Sequence, residues 1–165
     1  MRQTRDASDL KLHGPRLKIK VTPPTLRLPG EPRTGPPERG FRFTETDALI
    51  DTGAQRTVLS PEAVKKAGLF KINEAELRVV GAIVKADVYV ASLQFPLCGL
   101  KTIEVIEVSC CELPHILYHC LIGRDVLSRW ILNYDGPKGK WQISENGAEP
   151  WVEPPQGFDP DIWGE

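Results

Sequence analysis

Two short stretches bring together side chains that could do chemistry. In "ALIDTGAQRTVLS", residues 48–60, an apolar run ends in a carboxylate, Asp51, followed by a hydroxyl, Thr52, and a glycine, Gly53. A carboxylate at a strand end, beside a residue that lets another backbone come close, suits general acid–base work on a water molecule. The plainer reading is an Asx turn in an inert sheet. In "CCELPHILYHC", the side chains of Cys110, Cys111, His115, His119 and Cys120 are soft metal ligands, and on a helix His115 and His119 would share a face and could bind zinc. Against zinc stand Pro114 just before His115, the opposite faces that Cys110 and Cys111 would take if extended, and the lack of a C-x-x-C frame. The expectation is therefore no metal and no cofactor, with these residues as loop or buried thiols and surface imidazoles.

The elements around Asp51 can be read from periodicity. "RLKIKV" from Arg16 alternates Leu17, Ile19 and Val21 with basic residues, the pattern of a half-buried strand. A proline- and glycine-rich stretch, 22–40, breaks regular structure and reads as a long hairpin loop before "FRFTETDALIDTG" resumes. Ser60 followed by Pro61 predicts a capped helix, "PEAVKKAG", stopped by Gly68. Two β-rich arms are expected on either side of "GAIVK", with Gly81 at the bend. "LKTIEVIEVSC" is apolar on both faces at Ile103, Val105, Ile106 and Val108, so it predicts a central strand. "CLI" reads as a strand reaching Gly123, then "RDVLSRW" as a short helix turning Val126, Leu127 and Trp130 inward. "WILNYDGPKGKWQIS" predicts a hairpin turning at Asp135, Gly136, Pro137 and Gly139.

The 165-residue chain has 41% hydrophobic and 26% charged residues, which suits one domain with its own core. The expected organisation is a disordered segment 1–14, a domain over 15–144 and an acidic, proline-rich tail over 145–165, disordered or laid on the surface by Trp151, Phe158 and Trp163. Basic residues crowd the first part and acidic ones the end, so the two ends could attract each other or a partner. The formal net charge of −1 gives no long-range attraction for nucleic acid or an anionic membrane, and neither is expected as a partner. No apolar leader and no apolar run long enough to cross a bilayer are visible, which points to the cytoplasm. Four cysteines, two of them adjacent, make a poor disulfide framework and predict free thiols.

"ALIDTGA" followed downstream by "LIGRDVL" resembles the paired signatures of the retropepsin-like aspartic proteases, with cellular and bacterial relatives the closer likeness. The resemblance covers about 15–144. It implies an all-β half-barrel of twisted hairpins with one or two short helices, active as a homodimer on a peptide or protein substrate. It implies that Asp51 is the catalytic carboxylate, one from each subunit, that Thr52 cross-links the two active-site loops, and that Gly53 and Ala54 let a peptide approach. Leu121, Ile122 and Gly123 would support the Asp loop, while Arg124 and Asp125 would open the short helix. Val79, Val80, Gly81, Ala82 and Ile83 would form the flap, with Leu49, Val58 and Val84 adding to an apolar cleft, and the last hairpin would join the dimer sheet. Retroviral members carry an acidic residue where this chain has Gln55, so Arg124 is expected to turn instead to Asp125, Glu62 or the acidic tail. The flap has "VVGAIVKA" in place of a glycine-rich tip. The alternative is a weak or inactive peptide-binding or dimerisation module on the same fold.

Overall fold

The computed structural model describes residues 2–4, 7–24, 42–79, 82–113 and 117–145. Strands dominate. The alternating stretch forms β2 (Arg16–Thr22), which pairs antiparallel with β3 (Thr44–Ile50), as a hairpin requires. Leu17, Ile19 and Val21 turn fully into the core while Lys18 stays outside, so the period of two places one face of β2 against apolar neighbours. Most of the loop expected over 22–40 lies outside the described residues.

After the Asp51 turn, a two-residue strand β4 (Val58–Leu59) leads into α2 (Pro61–Ala67). The helix begins and ends as its sequence predicts. The Ser60 hydroxyl accepts from the Ala63 N–H at 3.2 Å, and Gly68 closes the helix in the left-handed region, φ 65°, where a Cβ would be strained. The expected arms are β5 (Phe70–Val79) and β6 (Ala82–Gln94), a long antiparallel hairpin that starts earlier than "AELRVV" and carries a bulge near Lys71 and Asn73. Its tip, Val80 and Gly81, lies outside the described residues.

β7 (Ile103–Cys110) is central, bonded to β6 on one side and β4 on the other. Its expected burial on both faces fails at Val105, which is 54% exposed, because nothing in the described residues packs over that face. β8 (Cys120–Ile122), α3 (Arg124–Leu127), β9 (Trp130–Asp135) and β10 (Lys140–Glu145) follow in the expected order. The helix is a single turn, but Val126 and Trp130 do face inward, and Trp130 meets Phe95 edge to face with centroids 4.8 Å apart. The β9–β10 turn is tied by a Lys138 N–H donating to Asp135 Oδ1 at 3.1 Å.

The strand order β2-β3-β8-β4-β7-β6-β5, with β2 also paired to β6, closes six strands on themselves and leaves β5 as an outer arm. A second sheet, β1-β10-β9, lies beside it. No helix among the described residues is long and apolar enough to cross a membrane.

The segment 1–14 departs from the expected disorder. Arg2–Thr4 forms β1 on β10, and Ala7–His13 forms α1, a further short helix among the described residues. The physical reason is one residue that periodicity alone does not flag: Leu10 is 1% exposed in the main core, and a single buried leucine can hold a short helix that its propensity would not. Leu10→Ala should therefore cost about 2–5 kcal/mol in a denaturant titration; a change near zero would mean that α1 does not pack as described.

Candidate active site

The loop from Asp51 to Thr57 joins β3 to β4, and β8 runs between those two strands, parallel to β3 and antiparallel to β4. The chain leaving β8 therefore passes under the loop and can hold it by backbone bonds. The Asp51 N–H donates to the Ile122 carbonyl at 3.0 Å, and the Arg124 and Asp125 N–H groups donate to the carbonyls of Ala54, at 2.9 Å, and Gln55, at 3.3 Å. The two sequence signatures are thus one structure.

Gly123 sits at the point of closest approach. A Cβ built there would meet the Arg56 carbonyl and the Thr57 nitrogen at under 3.0 Å, and both are backbone atoms that cannot swing aside. The requirement is space, since its φ of −88° suits any residue.

The half-buried Asp51 side chain is fixed by its own loop. Its Oδ1 accepts from the Gly53 N–H at 2.9 Å and the Ala54 N–H at 3.2 Å. Oδ2 has no hydrogen-bond partner among the described residues. A Cβ on Gly53 would sit 3.1 Å from Oδ1, so this glycine too keeps the carboxylate uncrowded. Thr52 and Gly53 are exposed beside it. The arrangement offers one carboxylate oxygen, on a rigid loop, to whatever approaches the exposed side.

A residue that sequence reasoning missed completes the loop. Thr57 is fully buried; its N–H donates to Asp125 Oδ2 at 2.9 Å, its hydroxyl donates to Asp125 Oδ1 at 2.8 Å, and that hydroxyl accepts from the Gly123 N–H at 3.2 Å. Asp125 also accepts from the Val126 N–H at 2.9 Å, within the single turn of α3. A threonine inside a strand-like "TVL" gave no sign of this, because its partner lies far along the chain. Asp125 is thereby occupied, and Glu62 is taken by Lys66, so two of the partners expected for Arg124 are spent. Arg124 instead donates from Nη1 to the Thr52 carbonyl at 3.2 Å, another tie onto the Asp51 loop.

Of the other expected cleft residues, Leu49 and Val84 are half-buried, Val58 is buried and Ile83 is 60% exposed. Val80 and Gly81 lie outside the described residues, as does the Val79 side chain. The half-buried Tyr118 comes close enough to Asp51 that, after burial, the carboxylate's charge is the next cause raising its phenol above the usual range.

The second stretch is dispersed. Cys120 is fully buried in the core, while Cys110 and Cys111 are half-buried at the end of β7. His119 serves α2 instead: Nδ1 lies 3.1 Å from the Ser60 hydroxyl, Nε2 lies 3.8 Å from Glu62, and the His119 carbonyl accepts from the Ser60 N–H at 2.9 Å. His115 lies outside the described residues, and among those described no three His, Cys, Asp or Glu side chains gather as a metal site. All four cysteines are free thiols.

A family model described as "gag-polyprotein putative aspartyl protease" matches residues 43–129, more than half of the chain, from the start of β3 through the Asp51 loop, the β5–β6 hairpin and β8. No curated protein matches. Among solved structures the chain is similar to a retropepsin-like aspartic protease from Rickettsia conorii, at 15% identity and a TM-score of 0.49 over 87% of this chain and 91% of that one. It is also similar to the EIAV protease in complex with an inhibitor, at 15% identity and a TM-score of 0.46 over 69% of this chain and 85% of that one.

Two outcomes test the geometry. Gly123→Ala should destabilise by about 1–3 kcal/mol or more by overpacking, and Thr57→Val by about 1–3 kcal/mol by stranding the Gly123 N–H and removing one of the hydrogen bonds to Asp125; exposed Gln55→Ala, read in the same denaturant series, should change little. The thiol of Cys110 is pushed by burial first, and then by neighbouring negative charge, from 9.0 up to about 11. Only the thiolate alkylates, so at pH 8 Cys110 should label about 100-fold more slowly than an unperturbed thiol and speed up tenfold per pH unit until about pH 11; labelling at the ordinary rate would show the site to be open to water.

Proposed function

Since the chain belongs to the gag-polyprotein aspartyl protease family, we propose that it is an aspartic endopeptidase whose active form is a homodimer, with Asp51 of each copy facing the other across a two-fold axis. The observation that carries this reading is the Asp51 loop itself: one oxygen held by two backbone donors, the other without a partner among the described residues, on a turn at an exposed surface.

One carboxylate cannot do the whole reaction. Hydrolysis of a peptide bond by this route needs one group to take a proton from water while another gives a hydrogen bond or proton to the carbonyl oxygen. Two like carboxylates at close range cannot both ionise, so the pair shares a proton and supplies both roles together. Oδ2, which has no partner within the described chain, is the atom that would face its twin and the water. The exposed Thr52 hydroxyl suits a link between the two loops, and Gly53 and Ala54 leave room for an extended peptide backbone. The β5–β6 hairpin, from Val79 to Ile83 at its tip, serves as the flap over that peptide.

The second sheet supports a partner copy. In the order β1-β10-β9, the outer edge of β9 has no strand beside it among the described residues, and Tyr134 on it is 53% exposed. An unpaired edge invites another strand, and a second β9 would pair there with the symmetry that two Asp51 loops require.

Concentrated wild-type protein should cut a denatured protein mixture, with new peptide termini read by mass spectrometry. Asp51→Asn should lower the rate by at least about 10²–10⁴-fold while leaving the unfolding midpoint and the sedimentation coefficient unchanged. Equal cleavage by the variant would end the proposal. A dimer that binds peptides without cutting them would instead mark a recognition module on this fold.

A further inference from the structure

An open groove of about 1230 Å³, with Asp51 not among its lining residues, lies between α2, the arm β6 and the end of β7, and takes in Val84, which was expected in the apolar cleft. Its floor is apolar, with Val64 and Leu69 on one side and Val84 and Tyr89 on the other. Its rim is charged. Arg42, Lys65 and Lys85 line it as exposed cations, and no ion pair engages any of them among the described residues. Of the two acids on the rim, Asp87 is already paired with Lys71 at 2.8 Å, which leaves Glu112. The groove therefore offers an apolar floor under a net positive rim, and it fits an extended acidic segment that carries large apolar side chains.

This chain contains such a segment. Residues 146–165 hold Glu149, Glu153, Asp159, Asp161 and Glu165 with no lysine or arginine, and Trp151, Phe158 and Trp163 are spaced among them. The loop between β2 and β3 is the other candidate within the chain, but its Arg27, Arg33 and Arg39 outnumber Glu31 and Glu38, so its charge opposes the rim. Reach is sufficient. Glu145 accepts from the Lys101 N–H at 2.6 Å, near the start of β7, and β7 then runs about 23 Å to its groove end at ~3.3 Å per residue. The span 146–165 can extend to about 66 Å.

We propose that residues 146–165 dock in cis into this groove, aromatic side chains on its floor and carboxylates against Arg42, Lys65 and Lys85. Docked there, the segment ties β6 to α2 and so braces the arm proposed as the flap. The inference stands on the groove and the charges, whether or not the protein cuts peptides.

Zero-length carbodiimide cross-linking of the full chain, as a mixture of isotopically light and heavy protein, tests it. Tryptic mass spectrometry should find Lys65 or Lys85 joined to carboxylates within 146–165, in same-isotope pairs only. The double variant Trp151→Ala, Trp163→Ala leaves the described domain untouched and should cut the yield of these links several-fold, and raising the salt should weaken them further. Three results would overturn the proposal: no such links in the wild type, links chiefly to lysines away from the groove such as Lys11 or Lys138, or mixed-isotope pairs, which would make a second copy the occupant. Because the readout is a covalent link, an inactive enzyme would not be mistaken for an undocked segment.

Discussion

Everything at the candidate site depends on one steric fact: β8 passes between β3 and β4, and the chain that leaves it must slide beneath the Asp51 loop with no side chain in the way. Gly123 meets that need, since a Cβ there would strike the backbone of Arg56 and Thr57. Once the backbones are that close, the N–H and carbonyl groups of the two segments satisfy one another, and the loop needs no side-chain scaffold of its own. Asp125 and Thr57 then close the underside, each taking up polar groups that burial would otherwise strand. The rigidity of Asp51 is a product of this crossing, made by residues that would not touch a substrate.

The same crossing explains why two motifs far apart in sequence read as one signal. "DTG" alone is a common turn and "LIG" a common strand end. Their value lies in the parallel register of β3 on β8, which sets Ile50 beside Ile122 and so sets the turn after one against the glycine after the other. A sequence can show that both pieces are present and in the right order. The contact between them is a property of the sheet.

Legibility followed the range of the interactions. Ser60, Pro61 and Gly68 bound α2 as read, because capping and left-handed turns are settled within a few residues. β2, β3 and the β9–β10 hairpin came from alternation and turn chemistry, which are also local. What escaped was long-range. Leu10 looks like any leucine in a polar stretch until the core receives it, and Thr57 reveals nothing about Asp125, 68 positions on. Arg124 shows the same limit: two of the acids expected for it, Asp125 and Glu62, were already committed, and among the described residues its hydrogen bond goes to the carbonyl of Thr52. Val105 erred the other way, since an apolar residue on a central strand stays exposed when no layer covers its face.

Charge and closure are distributed differently over the two sheets. The closed sheet pairs its strands on themselves and leaves β5 as an arm, with Lys71 meeting Glu74 at 2.7 Å along the same strand and Asp87 at 2.8 Å across the hairpin. Such exposed pairs contribute little to stability, but a charged, bulged arm resists pairing with stray strands. β9 has no comparable guard: its exposed positions are Asn133 and Tyr134, neither of them charged. Among the described residues, then, charge guards the outer edge of β5 while that of β9 has no strand beside it. In the homodimer proposed above, that edge would also set how far apart two copies of Asp51 stand.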